Sequence, residues 1–294
     1  MNLDPLLYAI LFISLCQKSL LTGSKLPHII SESQSTFQTN KAIIDNILIA
    51  FEMLHHMKNQ KSKKANFMTL KLDMSKAYDR VEWRFLTEIM NKMGFCETWI
   101  KLIFNCTSSA SYSILMNSEP RGNIVPSRGI RQGDPLSPYL FLLCFEGLNR
   151  LLQRAAQGNQ IRGYSLCKNG PKVTHLFFAD DSLLFCRARL TELEVVQDIL
   201  AVYEQALGQQ INRGKTTLFF SKAVAEETKE ELINLLGVLE VNEYEKYLGL
   251  PVVVGRKKKA SLNYIKERMW NKLQGWKERL LSQAGREVLL KAVV

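Results

Sequence analysis

The sequence predicts an α+β fold in which short strands are separated by longer helices. Two apolar, aromatic-rich runs flank Asp180 and Asp181, and runs of this length and composition are typical of the two strands of a hairpin. Residues Phe67 to Asp73 alternate between apolar and polar side chains, as in a half-buried strand. Several longer stretches repeat apolar residues with a helical period. At 294 residues the chain is long enough for one large domain or two smaller ones, each with a core.

The net charge is positive and is concentrated near the end of the sequence. Lys and Arg number 39 against 28 Asp and Glu, a net charge of +11. From Arg256 onward, 11 basic residues stand against 3 acidic ones, so this segment carries +8 and the preceding residues only +3. Such a local basic face indicates a polyanionic partner. Hydrophobic content of 46% with 23% charged residues is otherwise ordinary for a soluble globular protein.

The cysteine and histidine spacings exclude two common kinds of site. The six cysteines form no CxxC pair, and the four histidines stand at unrelated positions. This excludes zinc-finger spacing and a disulfide framework, and it predicts a reducing compartment. The apolar run from Pro5 to Cys16 follows Asp4 rather than a basic residue and is too short to span a bilayer. We therefore expect an intracellular protein of the nucleus or cytoplasm, not a secreted one, with no membrane partner.

The first predicted elements are a loop, a helix, a strand and a second helix. Residues Leu21 to Thr39 are polar and irregular, which predicts a loop. A helical period from Ile43 to Met57 follows; its apolar positions are Ile44, Ile47, Leu48, Phe51 and Leu54. In the strand Phe67–Asp73 alternate apolar residues face one side, so Asp73 ends the strand on the opposite side. A helix is expected to follow at once and to end at Gly94.

The later elements begin with a glycine-rich basic turn, Arg128 to Pro138, that leads into a helix. Asp134 suits the N-cap of this helix and Pro135 its first position. Past the Asp-Asp hairpin, Thr191 and Glu194 form a capping-box pattern. The further elements are a helix ending at Gly208, a polar turn Asn212–Lys215, a strand Thr217–Ser221, a helix Glu226–Leu236, a short strand from Tyr247, and a basic helical segment Arg256–Val294.

The acidic residues allow two interpretations at this stage. Adjacent carboxylates at the tip of an apolar hairpin repel each other, and a bound cation offsets that repulsion. Ligands that are oxygen only favour Mg²⁺ or Mn²⁺. Alternatively, Asp180 and Asp181 only make the local hydrogen bonds of a turn, and the polar residues after the first strand only cap a helix.

Five blocks in this order resemble the motifs of a known family. The blocks are Asp73-Met74-Ser75-Lys76-Ala77-Tyr78-Asp79, Arg128 to Pro138, Phe178-Ala179-Asp180-Asp181, Gly208-Gln209-Gln210-Ile211-Asn212 with Lys215, and Tyr247-Leu248-Gly249-Leu250-Pro251. They resemble successive motifs of reverse transcriptases. The residues within the blocks are similar to those of plant LINE-type non-LTR retrotransposon polymerases. The resemblance implies a right-hand polymerase with fingers and a palm whose antiparallel sheet carries the acids. It divides the chain into a divergent or truncated N-terminal fingers segment (1–40), fingers and palm (41–255), and the start of a truncated thumb (256–294).

The resemblance also implies the chemistry. An RNA-directed DNA polymerase adds dNTPs to a primer 3′-hydroxyl along an RNA template, with two metal ions. The implied metal ligands are Asp73, Asp180 and Asp181, the ions being Mg²⁺ or alternatively Mn²⁺. The resemblance assigns Lys215 to the leaving pyrophosphate, and the alternative for this residue is a solvent-facing lysine of the turn.

Further residues of this implied site would contact the nucleotide and the primer. Tyr78 matches the aromatic residue under the deoxyribose, and its alternative is an ordinary core tyrosine. Gln132 and Gly133 match the loop at the incoming base pair. Lys41 stands, after Asn40, where plant relatives usually have Gly-Arg. The implied primer grip consists of Tyr247, Leu248, Gly249 and Leu250.

Two functions from different classes follow from these observations. The intact acids favour a polymerase core that binds and extends a template–primer. The Asn40-Lys41 departure, together with the expected shortening of fingers and thumb, favours a catalytically dead retrotransposon relic that only binds nucleic acid. The sequence leaves the oligomeric state, the template RNA and the supply of endonuclease or ribonuclease H by another chain open.

Overall fold

The computed structural model describes residues 30–31, 33–36, 42–60, 66–241, 247–248, 263, 266–271 and 274. It divides the chain into two compact units, Met1–Glu243 and Tyr244–Val294. In the second unit the described residues after position 262 are helical and exposed. Among the described residues, no helix has the length and apolar character needed to cross a membrane.

The first unit is built on a five-stranded sheet. Its strands are β1 (Phe67–Leu72), β4 (His175–Phe178), β5 (Asp181–Arg187), β6 (Thr217–Phe220) and β7 (Leu239–Glu240). Their order across the sheet is β4-β5-β1-β6-β7. All neighbouring strands are antiparallel except β6 and β7, which are parallel. The predicted antiparallel sheet and the hairpin formed by β4 and β5 are therefore confirmed.

Six helices accompany this sheet in the described part of the chain: α1 (Ile43–Asn59), α2 (Trp83–Lys92), α3 (Glu97–Ser108), α4 (Ser137–Gln157), α5 (Leu190–Leu207) and α6 (Glu226–Leu236). Helices α4 and α5 contact each other, and α2 contacts both. Most of the first 16 residues of α4 are buried, because the helix passes through the core between its neighbours. Helix α5 buries one stripe and ends at Gly208 with φ +74°, as predicted.

Two predicted helix starts are wrong. Residues 75–80 form turns, and α2 begins only at Trp83 rather than directly after Asp73. Helix α4 begins at Ser137, so Asp134 is not its N-cap and Pro135 is not its first residue. The reason is local, because the Asp134 Oδ1 atom accepts a hydrogen bond from the Leu136 amide at 2.8 Å and closes a turn ahead of the helix.

The predicted capping box of α5 is also wrong. This helix begins at Leu190 with Arg189 as its N-cap, and no side chain caps it. The acid of its first turn, Glu192, is buried and accepts hydrogen bonds from amides outside the helix. The helix start is therefore set by a tertiary contact and not by the local capping pattern.

Helix α1 turns only part of the predicted face to the core, where Ile47 and Leu54 are buried as predicted. Ile44 and Leu48 are 56% and 55% exposed, whereas Asn46 is buried. The Asn46 Nδ2 group donates a hydrogen bond to the Phe177 carbonyl at 2.8 Å, which fixes the rotation of the helix. A buried amide that is satisfied in this way outweighs the exposure of two aliphatic side chains.

A separate two-stranded hairpin, β2 (Tyr112–Met116) and β3 (Glu119–Ile124), lies between α3 and α4 in the sequence. Every residue of both strands is exposed. Its side chains do not belong to the core of the first unit.

Candidate active site

The ends of β1 and β5 bring the three predicted acids to one edge of the sheet. Leu72 pairs with Ser182 in the antiparallel register, so Asp73, the next residue, emerges beside Asp181 at the start of β5. Asp180 lies in the turn of the hairpin, directly before that strand. Asp180 is exposed, and Asp73 and Asp181 are half-buried.

The pKa of the Asp181 carboxyl depends on the charges of the other two acids. Burial raises its pKa above the ordinary value. Lys71 lowers that pKa through its positive charge, while Asp180 and Asp73 raise it further. The carboxylates are therefore close enough to repel one another, and a cation bound between them would relieve the repulsion.

The donor set fits a hard divalent cation, since it consists of carboxylate oxygens from two adjacent strand ends. Within the described part of the chain, however, no three Asp, Glu, His or Cys residues converge closely enough to form a complete metal-binding group. Mg²⁺ sites that serve phosphate chemistry use one or two carboxylates and take their other ligands from substrate phosphates and water. The acids suit a site of that kind rather than an all-protein cage.

The hairpin tip is held by a segment that the sequence predicted to be loop. Ala179 has φ +53°, a left-handed conformation that is uncommon for a residue with a Cβ. Its amide donates a hydrogen bond of 2.6 Å to the Oγ1 atom of buried Thr36. Gln34 forms a parallel β-bridge with Phe177 next to this contact. Residues 33–36 thus run beside β4 and fix the conformation of the residue before Asp180.

Tyr78 lies close to the acids, on a platform supplied by α4. Its ring stacks on Phe141 with centroids 4.8 Å apart and planes inclined by 12°. Burial raises the pKa of its hydroxyl, and the negative charge of Asp180 raises it further. The half-buried side chain therefore packs against the core while its hydroxyl is influenced by the charge of Asp180.

The turn that carries Tyr78 is bound to the second sequence block. The Ile130 amide donates to the Tyr78 carbonyl at 2.9 Å, and the Gly129 amide donates to the Val81 carbonyl at 2.8 Å. Gly129 has φ +92°, and a Cβ there would lie 2.9 Å from the Asp79 carbonyl oxygen. Only glycine allows the two segments to approach this closely.

The fourth block holds the same turn from the other side. The Gln209 Nε2 group donates to the Ala77 carbonyl at 2.7 Å, and the Ser75 amide donates to the Gln210 carbonyl at 2.8 Å. The Asn212 amide donates to the Asp73 carbonyl at 2.8 Å. This block therefore fixes both the Tyr78 turn and the strand end that carries Asp73.

Three further predicted residues of the first unit lie in exposed loops and turns. Gln132 and Gly133 are exposed in the loop before α4, and a Cβ added at Gly133 would have open space around it. Lys215 is exposed in the turn after Asn212. In the second unit Tyr247 is buried and Leu248 has φ +50°. Lys41, Gly249 and Leu250 lie outside the described residues.

Three residues of the site were missed by the sequence analysis. The positive charge of Lys71 lowers the pKa of Asp181. The strand alternation that places Asp73 also places Lys71 on the same side of β1, so this residue could have been predicted from the sequence. Phe141 and Thr36 had no local signal, because their partners Tyr78 and Ala179 are far away in the sequence.

Comparison with known proteins gives one family. The pattern of the family described as "Reverse transcriptase (RNA-dependent DNA polymerase)" matches residues 14–252. A mitochondrial protein of Arabidopsis thaliana is 50% identical over 68 residues, which are 23% of this chain and 56% of that protein. A Retrovirus-related Pol polyprotein from the type-2 retrotransposable element R2DM of Drosophila melanogaster is 26% identical over 235 residues, 79% of this chain. The chain spans only 20% of that polyprotein.

The fold is also similar to a solved structure. A telomerase from Candida tropicalis, determined in complex with a fragment of telomeric RNA, superposes with a TM-score of 0.51 over 82% of this chain and 34% of the telomerase. The sequence identity is 13%, so this likeness concerns the fold alone.

Proposed function

The chain belongs to the reverse transcriptase family, and from that premise we propose that it is an RNA-directed DNA polymerase core that extends a primer with dNTPs. In this reaction the primer 3′-hydroxyl forms a bond to the α-phosphate of a dNTP, and pyrophosphate leaves. The observation that carries the proposal is the placement of Asp73 and Asp181 at adjacent strand ends, with Asp180 in the turn before β5. Asp73 and Asp180 both raise the pKa of the half-buried Asp181 carboxyl, and a titratable group perturbed by burial and by specific charged neighbours is typical of a functional site.

Asp73, Asp180 and Asp181 would hold two Mg²⁺ ions, or Mn²⁺ in their place. When bound, such ions lower the pKa of the attacking hydroxyl and stabilise the leaving oxygens. The three carboxylates provide the negative charge that attracts the ions, and Lys71 limits their mutual repulsion. The Thr36 contact to Ala179 orients the hairpin that carries two of the three acids.

The nucleotide would lie against Tyr78. Its ring stacks on Phe141, and in this supported position it would exclude a 2′-hydroxyl from the sugar above it. Gln132 and Gly133 are proposed to contact the incoming base pair, and the open space around Gly133 supports this assignment.

Charged residues outside this centre would contact the triphosphate and the duplex. We assign Lys41 to the triphosphate, and Lys215 to the departing pyrophosphate. The family resemblance alone supports these two roles and the primer grip at Tyr247, Leu248, Gly249 and Leu250. The basic residues from Arg256 onward would follow the phosphates of the duplex.

The relatives support an origin in a non-LTR retrotransposon. Pol polyproteins of R2 elements match a large part of the chain, and the Arabidopsis protein shares half of its residues over the matched stretch. A plant element with the Phe-Ala-Asp-Asp sequence at positions 178–181 is therefore our proposal for the source.

The test is primer extension on poly(rA)/oligo(dT) with Mg²⁺ and then Mn²⁺. We expect Asp73→Asn and Asp180→Asn each to reduce extension by about 10³-fold or more, because the members of such a site act as a unit. Asp198→Asn, which changes an exposed acid of α5, is the matched control and should extend normally.

Duplex binding separates the two functional classes. If the acids act in catalysis, both acid variants retain the affinity of the unmodified chain for a template–primer duplex. Extension that persists in either variant would contradict the assignment of the acids. Binding without extension by the unmodified chain would show that it is a relic that binds nucleic acid only.

A further inference from the structure

Three arginines cluster at the end of β5 that is remote from Asp181. Arg187 is the last residue of this strand and Arg189 is the N-cap of α5. The backbone amides of Arg162 and Arg187 both donate to the Oε2 atom of Glu192, at 2.9 and 3.0 Å. One carboxylate oxygen therefore holds these two backbone positions together, and Arg189 follows two residues later.

The side chains of this cluster lack ion-pair partners in the described structure. None of Arg162, Arg187 and Arg189 forms a salt bridge with a described acid. Burial lowers the pKa of Arg187, the neighbouring charges of Arg162 and Arg189 lower it further, and Glu192 acts in the opposite direction. Arg189 also stands at the N-terminus of an 18-residue helix, the positive end of its dipole. The fold therefore holds Arg187 where burial and two like charges disfavour its charged form.

An open cleft adjoins the cluster. It has a volume of about 660 Å³, within the usual range for ligand sites. Its described lining includes Arg162 and Lys172 but no acidic residue. The polar side chains that face it include Ser31, Gln153, Asn159 and His175. Cations and amide groups without a carboxylate favour an anionic ligand that also carries hydrogen-bonding groups.

The cluster and cleft are distinct from the candidate active site. Six residue steps along β5 separate Arg187 from Asp181, which corresponds to roughly 20 Å at about 3.3 Å per residue. His175, in the cleft, lies at the end of β4 away from the hairpin tip. A ligand that reaches both places has to be extended.

We propose that Arg162, Arg187 and Arg189, with the adjoining cleft, bind a single-stranded stretch of nucleic acid outside the part paired with the primer. Arginine forks suit phosphodiester oxygens, and three of them can neutralise successive phosphates. A single strand can turn an unpaired base into a polar cleft, whereas a duplex keeps its bases stacked inside. This inference rests on the proposed function for the class of ligand, but it does not depend on catalysis.

The experiment measures binding of a fluorescent 12-nucleotide oligouridylate to the full chain, without metal or dNTP, across a range of salt concentrations. The variant Arg162→Gln/Arg187→Gln/Arg189→Gln removes the three cations. For single strands the slope of log K against log salt is about −0.7 per phosphate contact. We expect the slope to become shallower by about 2, and the affinity near 0.15 M salt to fall by about 10-fold or more.

The matched control is Arg84→Gln/Lys101→Gln/Arg121→Gln, which removes the same charge from exposed residues that each pair with an acid. This control should keep most of the slope. The variant Arg162→Lys/Arg187→Lys/Arg189→Lys keeps the charge and should also retain the slope, which separates a lost contact from a folding defect.

Three results would overturn the proposal. The first is a slope in the glutamine variant equal to that of the control. The second is an equal loss of affinity for an RNA–DNA duplex, because the site is assigned to a single strand. The third is a loss of slope in the lysine variant as large as in the glutamine variant. Failure of primer extension has no bearing on these measurements, so the two proposals fail independently.

Discussion

Asp181 is half-buried beside two other carboxylates, and this environment has a cost for the folded protein. Burial raises the pKa of its carboxyl above the ordinary value. A raised pKa in the folded state means that folding favours the protonated form, so the associated stability is present at low pH and is lost as pH rises through the folded pKa. At neutral pH the ionised carboxylate therefore destabilises the metal-free protein.

We predict that Asp181→Asn raises the thermal midpoint of the metal-free protein at pH 7 while it abolishes primer extension. The amide removes the buried charge but also removes a proposed metal ligand, a trade-off that is common at catalytic sites. Adding Mg²⁺ should stabilise the unmodified chain and not this variant. The midpoint is measured by thermal unfolding, with Asp198→Asn as the control. A midpoint that Asp181→Asn lowers and Asp198→Asn does not would contradict the prediction.

Tyr78 allows a second prediction at the scale of one residue. The stacked Phe141 ring supports it, so Tyr78→Ala opens space where a 2′-hydroxyl would otherwise clash. We expect the ratio of rNTP to dNTP incorporation to rise by about 10-fold or more, the usual effect of relieving a steric exclusion of this size. Tyr78→Phe keeps the ring and should keep the ratio. If Tyr78→Ala leaves the ratio unchanged while extension persists, the side chain has only a packing role.

At the scale of elements, the β4–β5 hairpin depends on the segment 33–36 that runs beside it. Thr36 is buried, and its Oγ1 atom accepts the Ala179 amide at 2.6 Å. The left-handed conformation of Ala179 is unfavourable by itself. The hydrogen bond to Thr36 therefore helps to keep Asp180 and Asp181 in their present orientation.

We predict that Thr36→Val lowers the free energy of unfolding by about 1–3 kcal/mol, because it leaves an amide without an acceptor in a buried setting. Extension should fall as well, since the hairpin tip loses its support. Thr36→Ser retains the hydroxyl oxygen and should preserve most of both properties. Urea unfolding and extension rates provide the measurements, and equal behaviour of the two variants would show that the hydroxyl is unimportant.

At the scale of the whole first unit, a buried polar network joins Ser33, α4 and β4. His175 Nε2 lies 2.7 Å from Asn149 Oδ1 and 2.9 Å from Ser33 Oγ, while its Nδ1 lies 2.9 Å from Thr174 Oγ1. Asn149 in turn donates to Glu146 at 2.6 Å. Burial lowers the pKa of His175 to about 4, so the folded state requires a neutral imidazole.

We predict that the protein loses stability in weak acid through His175. The unfolded imidazole binds a proton near pH 6.5 and the folded one only near pH 4, so stability falls as pH decreases through this interval. The expected loss is about 2 kcal/mol between pH 7.5 and pH 5, at a limiting slope of about 1.4 kcal/mol per pH unit.

The control for this pH effect is His175→Gln, which retains a polar side chain but does not titrate. Burial raises the pKa of Glu146 in the same network, and its protonation opposes the effect at lower pH. The unfolding free energies of the two proteins should therefore be compared only at pH values above 5. A slope in His175→Gln equal to that of the unmodified chain would contradict the role of His175.

The sequence by itself determined the features that depend on neighbouring residues. The hairpin around Asp180 and Asp181, the strand that ends before Asp73, the end of α5 at Gly208, and helix α6 all follow from short-range periodicity and turn chemistry. The five ordered blocks identified the family. The blocks come from different parts of the chain, so their order is specific even though each block alone is short.

Only the tertiary structure decided how those parts are held. Thr36 and Ala179 are 143 positions apart, and Asn46 and the Phe177 carbonyl 131, so no local pattern announces either hydrogen bond. The same holds for the buried face of α1 and for the start of α5, where Glu192 binds amides outside its helix and overrides the local capping signal. Periodicity shows which residues prefer burial, but contacts between distant segments decide which of them are buried and which turn is held beside the acids.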